Sequence, residues 1–187
     1  MSDISSYPVP ELSDMPDDVR ERIEEVAAKS GFIPNVFLVF AHRPKEFRAF
    51  FDYYDALMTG EGGLSKAERE MIVLATSTAN DCSYCVIAHG ALLRIFAKDN
   101  KLSDQILANY RSADITERQR EMLRVALILA RTPEQISVAD YSALSVQGFS
   151  QEDIWDIGAI TALFALSNRM AHWTQMRPND EFYGMAR

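Results

Sequence analysis

Only two of the 187 residues are cysteine, too few to make a disulfide framework for a small secreted fold. Glycine (8) and proline (7) are also scarce, which sets aside collagen-like and low-complexity chains. Basic side chains are outnumbered: 19 Lys and Arg stand against 27 Asp and Glu, for a net charge of -8. A nucleic-acid binder would present a basic face, so that class of partner is not expected. The longest apolar run, Ile154 to Leu166, is short for a bilayer span and contains Asp156. The opening MSDISSYPVP has neither the basic start nor the apolar core of a secretory signal. The expectation is an acidic, soluble, cytoplasmic protein with no membrane partner. What the chain does have is 48% hydrophobic residues, ample at this length for burying a core.

Helix punctuation recurs along that core-forming pattern. Residues 1–14 are polar and proline-bearing and read as an extended arm, leaving 15–187 as one helical domain. Pro16, Asp17 and Asp18 mark a helix start and Gly31 its stop. Pro34 opens a short helix through VFLVFAH, and Pro44 opens another to about Met58. Ser65 with Glu68 forms a capping box for a helix over 65–79, and Asn80-Asp81 ends it and supplies the cap for 82–98. Further helices are predicted near 103–111, from Thr116 to Arg131, over 137–147, and over 151–172 behind Ser150. No segment shows sustained period-two alternation between hairpin signals, so the fold class is all-α. SKAEREM (65–71) and TERQREM (116–122) align at an offset of 51, with Glu70 matching Glu121, which suggests two related helical units. Only the first unit, about 64–98, carries cysteine.

The chemistry concentrates in Glu70-x11-Cys82-Ser83-Tyr84-Cys85-x3-His89. With Asp81 as cap, both cysteines fall in the first turn of a helix and His89 lies one turn beyond Cys85, on the same face. Unpaired backbone N–H groups and the helix dipole at that end stabilise a thiolate. Two thiols at this spacing can also close into a disulfide with little backbone movement. If helices 65–79 and 82–98 form an antiparallel hairpin, Glu70 and His89 differ in height by only about 4–5 Å at about 1.5 Å rise per residue. A carboxylate can then fix the imidazole tautomer, giving a nucleophile, base and orienter in one row. Zinc is the chemical rival, with Cys82, Cys85, His89 and Glu70 as ligands, although cysteines three apart on a regular helix need distortion to share a tetrahedral ion. A non-enzymatic thiol–disulfide relay or redox sensor is the other alternative. His42 and His172 lack partners nearby in sequence and read as structural or exposed. Trp155 and Trp173 read as core or interface, Asn168-Arg169 as a cap or subunit bridge, and Phe50, Phe51, Tyr53 and Tyr54 chiefly as core, with the lining of an apolar approach to the sulfurs as their alternative.

E-x11-C-x2-C-x3-H on a helical hairpin resembles the signature of the alkylhydroperoxidase D-like family, within the carboxymuconolactone decarboxylase superfamily. A looser similarity, including the C-terminal SNRMAHWTQMRPNDEFY, extends to its peroxidase-related subgroup. The resemblance implies an all-helical fold, homo-oligomers (trimers or hexamers), and hydroperoxide reduction by a cysteine pair. It also implies an external dithiol or thiol-protein reductant and no haem, flavin or metal cofactor. By the same resemblance Cys85 becomes the sulfenic acid, Cys82 donates a proton and resolves the disulfide, and His89 with Glu70 relays protons. Tyr84 departs from the pattern, since the best-known branch has a second histidine there.

Overall fold

The computed structural model describes residues 3–187, in which ten α-helices and three short 3-10 turns are the regular elements. Among the described residues no β-strand forms, only an isolated bridge at Ser5. The architecture is an all-α bundle.

The first layer is made of α1 (Asp17–Ser30), α2 (Asn35–Phe40) and α3 (Pro44–Met58). Asp17 and Asp18 sit in the first turn of α1, and Gly31 closes it at φ 84°, a left-handed conformation that favours glycine. Val19, Ile23, Phe47 and Phe51 seal the layer, with Phe37 stacked on Phe51 at 4.1 Å between ring centroids.

The centre is α4 (Lys66–Ala79), where ten consecutive residues, Glu68 to Ser77, are buried. A helix buried on one stripe needs a single neighbour; burial all round needs neighbours on every side. Those neighbours are α5 (Ser83–Ala97), α6 (Leu102–Asn109), α7 (Glu117–Arg131) and α9 (Gln151–Thr174). Fully buried Ile72, Leu74, Leu93, Met122, Leu123 and Ile160 fill the space between them, each such side chain contributing roughly 1.5–3 kcal/mol. The three charged residues on the buried part of α4 are all answered. Glu68 pairs with Arg118 of α7, Arg69 donates to the carbonyls of Leu57 and Leu64, and Glu70 meets His89.

Capping fixes where the central helices begin. Ser65 and Glu68 close a reciprocal box on α4, as do Thr116 and Gln119 on α7 and Ser150 and Asp153 on α9. A fourth box, Ser137 with Asp140, opens α8 (Val138–Val146). The short C-terminal α10 (Glu181–Gly184) has no periodic pattern to announce it; Arg94 of α5 holds it by donating to the carbonyls of Phe182 and Met185. The N-terminal arm lies along the end of α9, with the Ser6 N–H donating to Thr174 and the Arg177 N–H to Ile4.

One expectation needs correcting. Asp81 is not the cap of α5: it sits in the turn at φ 54°, and Cys82 itself is the N-cap residue. Of the two readings for Trp155 and Trp173, core and interface, the core is excluded, since they are 72% and 68% exposed on α9.

Candidate active site

The turn from α4 to α5 is built by backbone bonds. The Cys82 N–H donates to the Ser77 carbonyl (3.0 Å), and the Cys82 carbonyl accepts from Val86 as the first bond of α5. The left-handed Asp81 lets the chain reverse within this short turn. Cys82 therefore stands at the mouth of the helix, and Cys85 lies one turn inside it. Both are free thiols and each is only 1% exposed.

The hairpin brings Glu70 and His89 together: Nδ1 of His89 lies 2.7 Å from Oε2 of Glu70, with both side chains buried. A carboxylate oxygen accepts, so Nδ1 carries the proton and Nε2 is the free position. Phe164 meets the imidazole edge-on at 4.7 Å and braces it.

The opposite wall comes from α9, more than 80 residues away in sequence. Ser167 Oγ lies 3.8 Å from Cys85 Sγ. Asn168 donates from Nδ2 to Ser77 Oγ and accepts at Oδ1 from Asn80, both at 2.9 Å. His172 places Nε2 3.0 Å from the Asn80 carbonyl. Asn168 is thus an internal brace of the turn, and His172, although exposed, is partnered. These residues were not assignable from sequence because their partners lie across the fold. Their one local signal is that Ser167, Asn168, Ala171 and His172 recur at helical spacing along one face of α9. His42, by contrast, packs edge-on against Tyr7 away from the sulfurs.

A cavity of about 230 Å³ opens on this wall, lined by Cys82, Ser83, Tyr84, Ala171, His172, Gln175 and Met176. Cys85 is not in its lining. None of Phe50, Phe51, Tyr53 or Tyr54 lines it either; Phe51 is core and Tyr54 backs Phe164. Tyr84 points its hydroxyl away, accepting from the Val36 N–H at 3.1 Å and so pinning α5 to α2. Burial holds that phenol well above the usual range, in its neutral form.

The two thiols are driven apart electrostatically. The Cys82 thiol is lowered to about 6, first by the hydrogen bond from the Cys85 thiol, and further by the Cys85 backbone N–H, the His172 charge and the Asn168 amide. No regular side-chain cap bond forms at Cys82, so the backbone contribution is an electrostatic one from the helix mouth. Cys85 is pushed up, first because its proton is the one offered to Cys82, then by its own burial. Among the described residues no group of three or more His, Cys, Asp or Glu is arranged to hold a metal ion, which leaves the zinc alternative without a ligand cluster. Among the same residues no helix is long and apolar enough to cross a membrane.

The carboxymuconolactone decarboxylase family profile matches residues 44–107, a span holding Glu70, both cysteines and His89. An alkylhydroperoxidase AhpD core structure, an uncharacterized peroxidase-related protein from Ralstonia eutropha JMP134, is 59% identical over 100% of this chain and 98% of its own, with a TM-score of 0.97. The chain belongs to the AhpD-like, peroxidase-related proteins of the carboxymuconolactone decarboxylase family. A second peroxidase-related member, from Silicibacter sp. TM1040, is 38% identical over 100% of this chain and 97% of its own, at a TM-score of 0.94. The debrominase Bmp8 shares the AhpD-like fold alone, at 16% identity and a TM-score of 0.80 over 100% of this chain and 97% of its own. No match was found among curated proteins.

Proposed function

We propose that this AhpD-like protein is a thiol-dependent peroxidase in which Cys82 and Cys85 alternate between dithiol and disulfide. The observation that carries this reading is a pair of free thiols one turn apart at a helix mouth, one of them lining a cavity, with the thiol that lines it lowered toward ionisation. Overall, two thiols and a hydroperoxide give a disulfide, an alcohol and water, and an external dithiol then restores the thiols. Glu70 and His89 support the cycle by moving the proton of Cys85, since His89 lies one turn further along the same face of α5 and its Nε2 is unclaimed by Glu70. The reading needs no metal, haem or flavin.

One observation favours a second reading, a thiol–disulfide relay with negligible peroxide turnover: both sulfurs are almost completely buried. The experiment that separates them is peroxide-dependent oxidation of a dithiol by the pure protein. Turnover in wild type and its loss in Cys82→Ser and Cys85→Ser supports the peroxidase; no turnover with several dithiols supports the relay.

The exposed apolar side chains Val138, Tyr141, Val146 and Trp155 lie on α8 and on the start of α9. We take this face as the contact between copies in a homo-oligomer, a trimer or hexamer; light scattering in solution checks it.

A further inference from the structure

We propose that Ser167, on α9, is a catalytic hydrogen-bond donor to the Cys85 sulfur, stabilising it as a thiolate while it meets the hydroperoxide. The proposal rests on the peroxidase reading above and deepens it, with Cys85 as the sulfur that becomes the sulfenic acid.

Three observations carry it. Ser167 Oγ lies 3.8 Å from Cys85 Sγ, within hydrogen-bond reach of a sulfur, and both side chains are buried. The hydroxyl is also kept for that contact. Buried threonines of these helices turn back on their own chain: Thr76 donates to the carbonyl of Ile72, Thr161 to that of Ile157 and Thr174 to that of Met170, each four residues behind. Ser167 makes no such bond among the described residues, and its hydroxyl meets the sulfur instead. Finally, the two sulfurs are served from different elements. Cys82, at the N-cap, faces the helix mouth and the Cys85 backbone N–H. Cys85 lies one turn inside, and the neighbours that work against its rise are the Asn168 amide and the Ser167 hydroxyl, both from α9. Asn168 is already committed to bracing the turn, through Ser77 and Asn80. Ser167 has no such duty.

Charge decides which atom donates. While Cys85 holds its proton, either group can donate. Once ionised, the sulfur can only accept, so the hydroxyl hydrogen turns to it. A thiolate buried without donors would be costly. The titratable groups around Cys85 are Cys82 and Tyr84 beside it, with His89 one turn along α5 and Glu70 behind it on α4. From α9, His172 acts on Cys82, whereas Cys85 receives the neutral Ser167 and Asn168; α10 adds the apolar Phe182 to the same cluster. Ser167 makes and breaks no covalent bond: the Cys85 proton leaves by way of His89, as above, and the hydroxyl keeps its own.

The test removes the hydroxyl. In a Cys82→Ala background, which takes away the thiol that pushes Cys85 up, Cys85 is titrated by its ultraviolet thiolate absorbance, with the Cys82→Ala/Cys85→Ala protein subtracted. Adding Ser167→Ala is expected to raise the midpoint by about one pH unit, leaving the thiolate about tenfold scarcer below it. With both cysteines in place, Ser167→Ala should lower kcat/KM for hydroperoxide about tenfold and leave kcat/KM for the dithiol as it was, a split that a packing defect would not give. An unmoved midpoint in folded Ser167→Ala, or in Ser167→Gly should alanine disturb the helix, overturns the proposal. Absence of peroxide turnover in wild type defeats the peroxidase reading instead, while the titration still decides whether Ser167 serves the Cys85 thiolate.

Discussion

The α4–α5 and α7–α8 hairpins begin alike and finish as different things. Both open with a reciprocal cap, Ser65 with Glu68 and Thr116 with Gln119, and both place a glutamate two residues later, Glu70 and Glu121. In the first hairpin that glutamate is answered by His89 from the returning helix. In the second, Arg124 on the same helix takes Glu121 and reaches on to Asp140, which stands 51 residues beyond His89 in the aligned register. Cys82 and Cys85 correspond in that register to Pro133 and Ile136, and Pro133 begins a 3-10 turn. One hairpin therefore keeps an imidazole nitrogen unclaimed by its glutamate and two sulfurs. The other locks its acids onto a permanently charged guanidinium. The comparison teaches that the helical hairpin is a scaffold, and that chemistry arrives when the acid is paired with a titratable partner instead of an arginine.

The largest effect that would break this contrast is chemical. Cys82→Ser and Cys85→Ser are each expected to reduce dithiol-coupled peroxide consumption to the level without protein, whereas Arg124→Met leaves it within about twofold of wild type; ordinary steady-state assays decide it. Next come the acid–imidazole residues. Glu70→Gln is expected to lower kcat by about 10²-fold, and the KM for peroxide should hold, because the residue acts on proton transfer and not on binding. His89→Leu adds a stability loss of about 3–5 kcal/mol by denaturant melt, because Glu70 stays buried without its partner.

The pH dependence sharpens the contrast further. The Cys82 thiol is lowered to about 6, so its thiolate is lost as pH falls through that value and is nearly complete above pH of about 7. Alkylation rates should rise through pH 6 and then level, where an ordinary cysteine would still climb toward a pKa of about 8.5. The smallest effect belongs to the second hairpin: Arg124→Met should cost about 1 kcal/mol by the same melt, since Arg124 and Glu121 are partly in solvent.

Much of this was legible in the sequence, for local reasons. Capping boxes and prolines act within a few residues, so α3 begins at Pro44 and ends at Met58 as the punctuation predicts, and α4, α7 and α9 start behind their caps. The register of Glu70 against His89 follows from helix rise alone once α4 and α5 are antiparallel. What stayed hidden depended on contacts across the fold. The left-handed Asp81 moved Cys82 out of the first turn and into the cap position, a change that propensity does not announce. Asn168 and His172 carry no local signature for bracing Asn80, because their partners are 88 and 92 residues away. The four-residue α10 owes its place to Arg94 and not to any pattern of its own.

The central claim, that the two sulfurs of α5 cycle together at the expense of a hydroperoxide, is tested most directly by intact mass after one equivalent of oxidant. The account predicts a loss of about 2 Da, mapped to a Cys82–Cys85 crosslink and reversed by dithiothreitol. Peroxide consumption that leaves both thiols free, or that adds oxygen without ever forming the crosslink, would contradict it.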